Sequence, residues 1–268
     1  MKKLNYILIL LTVLCSASFI SCTKIIDVEV DDSEPQLVIE ANYDAVNEVV
    51  QVNLSMTKNV FEGGVNPMIT GASVEIIDPS GISTSLTDLG DGSYLLENYS
   101  PTYLSTYQMK VIIDGVEYVA SSFLPEIVPL DSLTSVFTEA SLFGDAGEVV
   151  NMNFVDPAGV ENFYRAMRSV NGERLTNLGS QFIFDDTFSE GNQQTVPFFS
   201  DRYEVGDSVV VEFISYNKES FNYYSQLFAL IGDAGQSAAP ANPVGNWSNN
   251  ALGNFAAWGF DSKFIVIE

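Results

Sequence analysis

The side chains available for chemistry are carboxylates, hydroxyls and a few ammonium groups. The 268 residues carry 35 Asp and Glu, 11 Lys and Arg, and no histidine. Without imidazole, neither a Ser-His-Asp triad nor a Cys-His pair can be assembled, and every histidine-containing zinc site is excluded. Asp88-Leu89-Gly90-Asp91-Gly92 places two acids on a flexible loop, which makes Asp88 and Asp91 the metal candidates. Calcium takes about six to eight oxygens, and this loop offers two acids and some carbonyls, so a hairpin turn is the plainer expectation. Asp185-Asp186 beside Glu190 either binds a cation or is simply solvated. Glycoside hydrolysis needs two carboxyls roughly 5–10 Å apart. With 35 acids some pair meets that by chance, so none is singled out.

Ser215-Tyr216-Asn217-Lys218 matches the Ser-x-x-Lys letters of serine–lysine hydrolases, but its serine falls on a strand and the partner motifs are missing. Gly63-Gly64 lacks the Lys-Ser/Thr of a phosphate loop. Trp247, in a polar loop, is the aromatic most expected to be exposed and is the ligand-stacking candidate; Trp258, among Ala and Phe, is expected in the core. Tyr223 and Tyr224 offer further faces. A net charge of −24 leaves no basic field for nucleic acid. The expectation is no catalytic residue, no resident metal and no cofactor.

One thiol carries a different chemistry. Lys2 and Lys3 precede an apolar stretch from Tyr6 to Ile20, which closes on Phe19-Ile20-Ser21-Cys22. The stretch is short for a membrane span, which needs about 20 residues, and fits a signal-peptide core. A small residue before a cysteine at that place resembles the bacterial lipobox. Residues 1–21 are then a lipoprotein signal peptide, and Cys22 is the lipidation site, holding the protein to a membrane by several acyl chains. The alternatives are ordinary secretory cleavage near Ala17 or Ser18, or an uncleaved anchor. Residues 22–36 (Asp27, Glu29, Asp31, Asp32 and Glu34 among them) read as an acidic tether, a spacer or a surface-export signal.

The elements that must position these groups are mostly strands. Leu37–Ala41, Val49–Leu54, Ser73–Ile77 and Ser93–Leu96 are apolar or alternate with period two. Gln108–Ile113 and Val116–Ala120 flank Asp114-Gly115, a pair suited to the positive φ angles of a type I′ hairpin turn. Pro125 and Pro129 bracket an extended linker. Beyond it, strands are expected over 132–138, 149–155, 163–170, 181–184, 208–216 and 263–267. Phe221, Tyr224, Leu227, Phe228 and Ile231 form the stripe of one amphipathic helix, about 217–231, with Asn217 as N-cap. That stripe is read as core. The expected fold is mainly β: two β-sandwich (Ig-like) modules, the N-terminal one over 37–125, the C-terminal one over 126–268 and carrying the helix.

The order of several short motifs adds a resemblance. After the lipobox come Leu37-Val38-Ile39-Glu40-Ala41, Gly71–Ile76 and Gly90-Asp91-Gly92-Ser93-Tyr94. The second half has Asp156-Pro157, Asn162-Phe163-Tyr164-Arg165, Asp201-Arg202-Tyr203, Gly206-Asp207 and Phe221-Asn222-Tyr223-Tyr224. It closes on Asn242-Pro243, Asn246 and Ala251–Ala257. In this the chain resembles the Bacteroidetes outer-membrane lipoproteins of the domain-of-unknown-function 4249 family, over nearly all of its mature length. Where that pattern has Gly-Tyr-Phe near the end, this chain has Gly253-Asn254-Phe255. The resemblance implies a non-enzymatic cell-surface accessory or ligand-binding partner of a TonB-dependent transporter, lipid-anchored and facing outward, and it brings no catalytic residues. An adhesin or envelope scaffold, or a carboxylate-dependent surface hydrolase, is the alternative.

Overall fold

Alternation of buried and exposed side chains runs through most strands of the computed structural model, which describes residues 34–58, 64–140, 145–189, 191–232 and 241–268. The expected signal peptide over residues 1–21, Cys22, most of the expected tether and Glu190 lie outside those residues. Pro35–Glu268 form one compact unit. In chain order its first strands are β1 (Leu37–Asp44), β2 (Val49–Met56), β3 (Ser73–Ile77), β4 (Ser83–Ser85), β5 (Thr87–Asp88), β6 (Ser93–Leu96), β7 (Ser105–Ile113) and β8 (Val116–Leu124). The rest are β9 (Leu130–Thr138), β10 (Gly147–Val155), β11 (Phe163–Val170), β12 (Glu173–Arg174), β13 (Phe182–Asp185), β14 (Gln193–Pro197), β15 (Ser208–Tyr216) and β16 (Phe255–Val266). One helix, α1 (Lys218–Gly232), separates β15 from β16.

Two sandwiches result, as the residue pattern leads one to expect. In the first, β5–β6–β2–β1 and the front of β16 face the β4–β3–β7–β8 sheet. The inward residues Ile39, Ala41 and Tyr43 of β1 meet Val50, Val52 and Leu54 of β2 and Val74, Ile76, Met109 and Val111 opposite. In the second, β12–β11–β15 and the rear of β16, with β13 beside β11, face β14–β10–β9. Its core holds Val150, Met152, Phe154, Tyr164, Ala166, Val211 and Phe213. The β7–β8 hairpin turns at Asp114 and Gly115, with φ of 50° and 80°, the left-handed values a type I′ turn requires.

One strand belongs to both halves. The chain end reads as a separate apolar run and a short strand over 263–267, but β16 is continuous from Phe255 to Val266. Its first residues, Phe255–Trp258, lie parallel to Ala41–Asp44 of β1; Gly259–Val266 then pair antiparallel with β15. Helix α1 packs over this junction: Phe221 and Tyr224, both partly buried, sit against Phe163, Ile214, Tyr216 and Ala256, so the front of the stripe joins the core, while Ile231 at its far end is exposed. Tyr224 donates its hydroxyl proton to Asn42 of β1 at 3.2 Å, which ties the helix to the first sandwich as well.

The polar segment before β16 also crosses the division placed at residue 126. Ser248 exchanges hydrogen bonds with the Val119 backbone (2.8 Å each), and Asn249 Nδ2 donates to the Glu117 carbonyl. Asn246 bridges the Ser121 and Phe255 carbonyls. Leu252 and Asn254 pair with the backbone of β1. The segment thus straps the open edge of β8 to β1, and Trp247, Ala251, Phe255 and Ala257 enter the first core. Gly253 (φ 98°) is where the strap passes closest, since a Cβ there would lie 2.1 Å from the Ile39 carbonyl oxygen.

Candidate functional site

The linker from Pro125 to Pro129 runs between β8 and β9 with no turn or bend. Proline at both ends favours this extended path by restricting φ and the residue before it. Three contacts hold it in place. The Val128 N–H donates to Ser215 Oγ at 3.2 Å, and the Leu130 N–H to Asp261 Oδ2 at 2.8 Å. Ile127 fills the space over Gly259, where an added Cβ would stand 2.8 Å from Ile127 Cγ1. On the other side Asn217 caps α1, accepting from the Ser220 N–H at 2.8 Å. Its Nδ2 donates to Ser122 Oγ and the Phe123 carbonyl, which fixes the start of the helix to the end of β8.

Between linker, helix start and the loop before β11 lies a cleft of about 690 Å³. Its walls are apolar: Leu104, Phe123, Ile127, Val160 and Phe163, with Pro125, Pro129 and Pro157. Leu104, Phe123 and Val160 are exposed at its mouth. The charged lining residues are Glu126, Glu161, Lys218 and Glu219. Lys218 Nζ is bound by both oxygens of Glu161, at 2.9 and 3.0 Å. That hydrogen bond holds the ammonium above its usual pKa. A smaller cavity of about 230 Å³ adjoins, lined by Gly159, Val160, Glu161 and Asp186.

Ser215 and Lys218 both line the cleft but serve other partners. Ser215, 3% exposed, receives the Val128 amide, and Lys218 is a charged donor to Glu161 rather than a free base. Asp88 accepts the Gly71 and Gly90 N–H groups, each at 2.7 Å, and these bonds hold its carboxyl below the ordinary value, Gly71 first. Asp91 accepts the Ser93 N–H at 3.0 Å. Both acids therefore serve the β5–β6 turn. Among the described residues, no group of three Cys, Asp or Glu stands close enough to hold a metal. Asp185 accepts the Thr187 N–H, and the buried Asp186 accepts that of Asn162 at 2.7 Å.

Of the two tryptophans, Trp247 departs from the place expected of it. Trp247 is 8% exposed, its Nε1–H donating to the Ile39 carbonyl at 2.9 Å, so it is no stacking platform. Its polar neighbours are spent on β8 backbone groups, which turns the indole inward. Trp258 is half-buried beside Phe260 on the helix-facing side of β16. Tyr224 stacks on Tyr216 at 5.3 Å and receives the Arg165 guanidinium over its ring, so it too is used in packing. The cleft residues Phe123, Val160 and Phe163 escape the sequence reading; the proline-bracketed linker is the one signal that points near them.

The sequence matches the family described as "Domain of unknown function (DUF4249)" over residues 23–263. No curated protein matches it. Among solved structures it is similar to the chicken interferon gamma receptor alpha chain, at 12% identity and a TM-score of 0.20, covering 68% of this chain and 88% of that one. It is also similar to the FN1–FN3 domains of chicken CNTN1, at 11% identity and a TM-score of 0.27, covering 68% and 60% of the two chains. Both likenesses are loose, whereas the family match takes in nearly every residue described above: the chain belongs to the DUF4249 family.

Proposed function

We propose that the protein is a non-enzymatic Bacteroidetes lipoprotein, held at the outer membrane through acyl chains on Cys22 and facing outward. It binds a ligand in the cleft between its sandwiches as the accessory of a TonB-dependent transporter. The observation that carries the binding role is the cleft itself, whose volume falls in the range of small-ligand sites, roughly 300–1,000 Å³, and whose walls are apolar with few charged groups. The occupied hydroxyl of Ser215 and the protonated Lys218 favour binding over catalysis there. The anchoring role rests on Phe19-Ile20-Ser21-Cys22 and the acidic tether that follows.

Cys22→Ala tests the anchor. The variant is expected to lose incorporation of labelled palmitate and to leave the membrane fraction, or to stall as precursor. Unchanged processing and membrane retention would refute lipidation. Extraction of the wild-type protein in mild detergent is expected to bring a barrel transporter with it, and recovery without any barrel protein removes the transporter link.

A further inference from the structure

We infer that the cleft takes a free oligopeptide in extended conformation, one that carries apolar side chains and positive charge. The inference rests on reading the cleft as a binding site and adds the chemical class of its ligand. Two observations point there independently.

The first is backbone. Glu126 and Ile127 line the cleft, and among the described residues neither spends its N–H or carbonyl on any partner, unlike Val128 and Leu130 on the same linker. In an extended segment these two neighbours present their groups to opposite edges, so on either edge another extended chain can pair its main chain with one of them and place alternate side chains in the adjoining pocket. The five residues from Pro125 to Pro129 span at most roughly 17 Å, the reach of a short peptide.

The second is charge. Glu126, Glu161 and Glu219 face Lys218 alone, and Lys218 is already committed to Glu161. The remaining rim is negative, on a chain of net charge −24. The start of α1 does not reverse this, because Asn217 caps it and Glu219 lies in its first turn. An apolar floor under an acidic rim complements alternating apolar and basic side chains and repels acidic ones.

The test is fluorescence anisotropy of the full chain in detergent with labelled hexapeptides of alternating leucine and lysine, alternating leucine and glutamate, and the lysine form N-methylated at alternate residues. The lysine peptide is expected to bind saturably, at least about ten-fold tighter than the glutamate peptide. Phe123→Ser is expected to abolish binding, and the double variant Glu126→Lys, Glu219→Lys to invert the preference. Phe123 is partly exposed and both glutamates are exposed, so these variants should fold; a circular-dichroism spectrum like that of the wild type confirms it. Equal binding of the two charged forms, lost in Phe123→Ser, overturns the ligand class while leaving the cleft as a site. Undiminished binding of the N-methylated peptide overturns main-chain pairing. If none of the peptides binds, the ligand class fails; if an uncharged apolar probe such as N-phenyl-1-naphthylamine also shows no Phe123-dependent signal, the cleft reading fails with it.

Discussion

In the first sandwich the inward row of β1 reads Ile39, Ala41, Tyr43; in the second, the inward row of β11 reads Tyr164, Ala166, Arg168. The two rows bury polar groups of very different cost. The core tyrosines of the first sandwich find backbone partners: Tyr43 donates to the Tyr99 carbonyl at 2.7 Å, and the Tyr107 hydroxyl accepts the Thr102 N–H at 2.6 Å. Where a hydroxyl is left over, as at Tyr99, which has no hydrogen-bond partner among the described residues, the unpaired group is at least neutral. Arg168 is a charge with no exposed side-chain surface. Its Nε binds Asp201 at 2.6 Å and its guanidinium lies 4.2 Å over the Phe198 ring, while among the described residues Nη1 and Nη2 have no hydrogen-bond partner. Asp201 is held in turn by Ser180 and Tyr203. The second sandwich therefore buries charged groups, Arg168 with Asp201 and Asp156 under the Tyr164 hydroxyl, whereas the first spreads its polar bonds over neutral ones.

The sharpest way to break this contrast is to remove one member of the Arg168–Asp201 pair. Asp201→Ala leaves the guanidinium buried without a counter-charge and is expected to cost about 3–5 kcal/mol in urea unfolding. Adding Arg168→Met should recover much of that loss, because a buried ion pair exchanged for an apolar side chain is often close to neutral. Additive losses in the double variant would mean that Arg168 is stabilised by the Phe198 ring rather than by the charge across from it.

The matching change in the first sandwich has a smaller expected effect. Trp247→Phe keeps an aromatic ring in the core but withdraws the N–H that meets the Ile39 carbonyl. A buried acceptor left without its donor costs about 1–3 kcal/mol. The strap contributes through several other bonds, so the variant should stay folded, with a lower urea midpoint and an unchanged slope. A loss as large as that of Asp201→Ala would show that the first sandwich hangs on a single polar contact.

How far this organisation is legible in the residues follows from the same physics. Strands β3, β6, β11 and β15 are readable to the residue, because one face is buried and period two is visible in Val209, Val211 and Phe213. Helix α1 announces itself by Asn217 and its apolar stripe. The front of β16 does not. Phe255 and Ala257 face the first core and Ala256 faces the helix side, so burial on both faces erases alternation and leaves an apolar run with no period. Trp247 is obscured for the opposite reason. Asn246, Ser248 and Asn249 look solvated, and nothing local reveals that they bond to β8, far away in sequence. The cleft is harder still, being assembled from residues near 125, 160 and 217 that share no pattern.

The smallest expected effect is at Asp88, in the first sandwich but wholly at its surface. Its two oxygens accept different amides, Gly71 on Oδ2 and Gly90 on Oδ1. Asp88→Asn must turn an NH₂ toward one of these donors, so one bond is lost in favour of solvent. Because the folded carboxyl is more acidic than the unfolded one, its contribution is fully present above the unfolded pKa, near 3.9, and fades as pH falls through the lower folded value. Thermal melts should therefore separate wild type from Asp88→Asn by no more than about 2 °C at neutral pH. The gap should narrow below about pH 4, where the wild-type carboxyl also takes up its proton. A gap that persists unchanged into strong acid would assign the effect to turn geometry instead of charge. A neutral-pH loss rivalling that of Asp201→Ala would overturn the ranking of buried over exposed carboxylates on which the comparison of the two sandwiches stands.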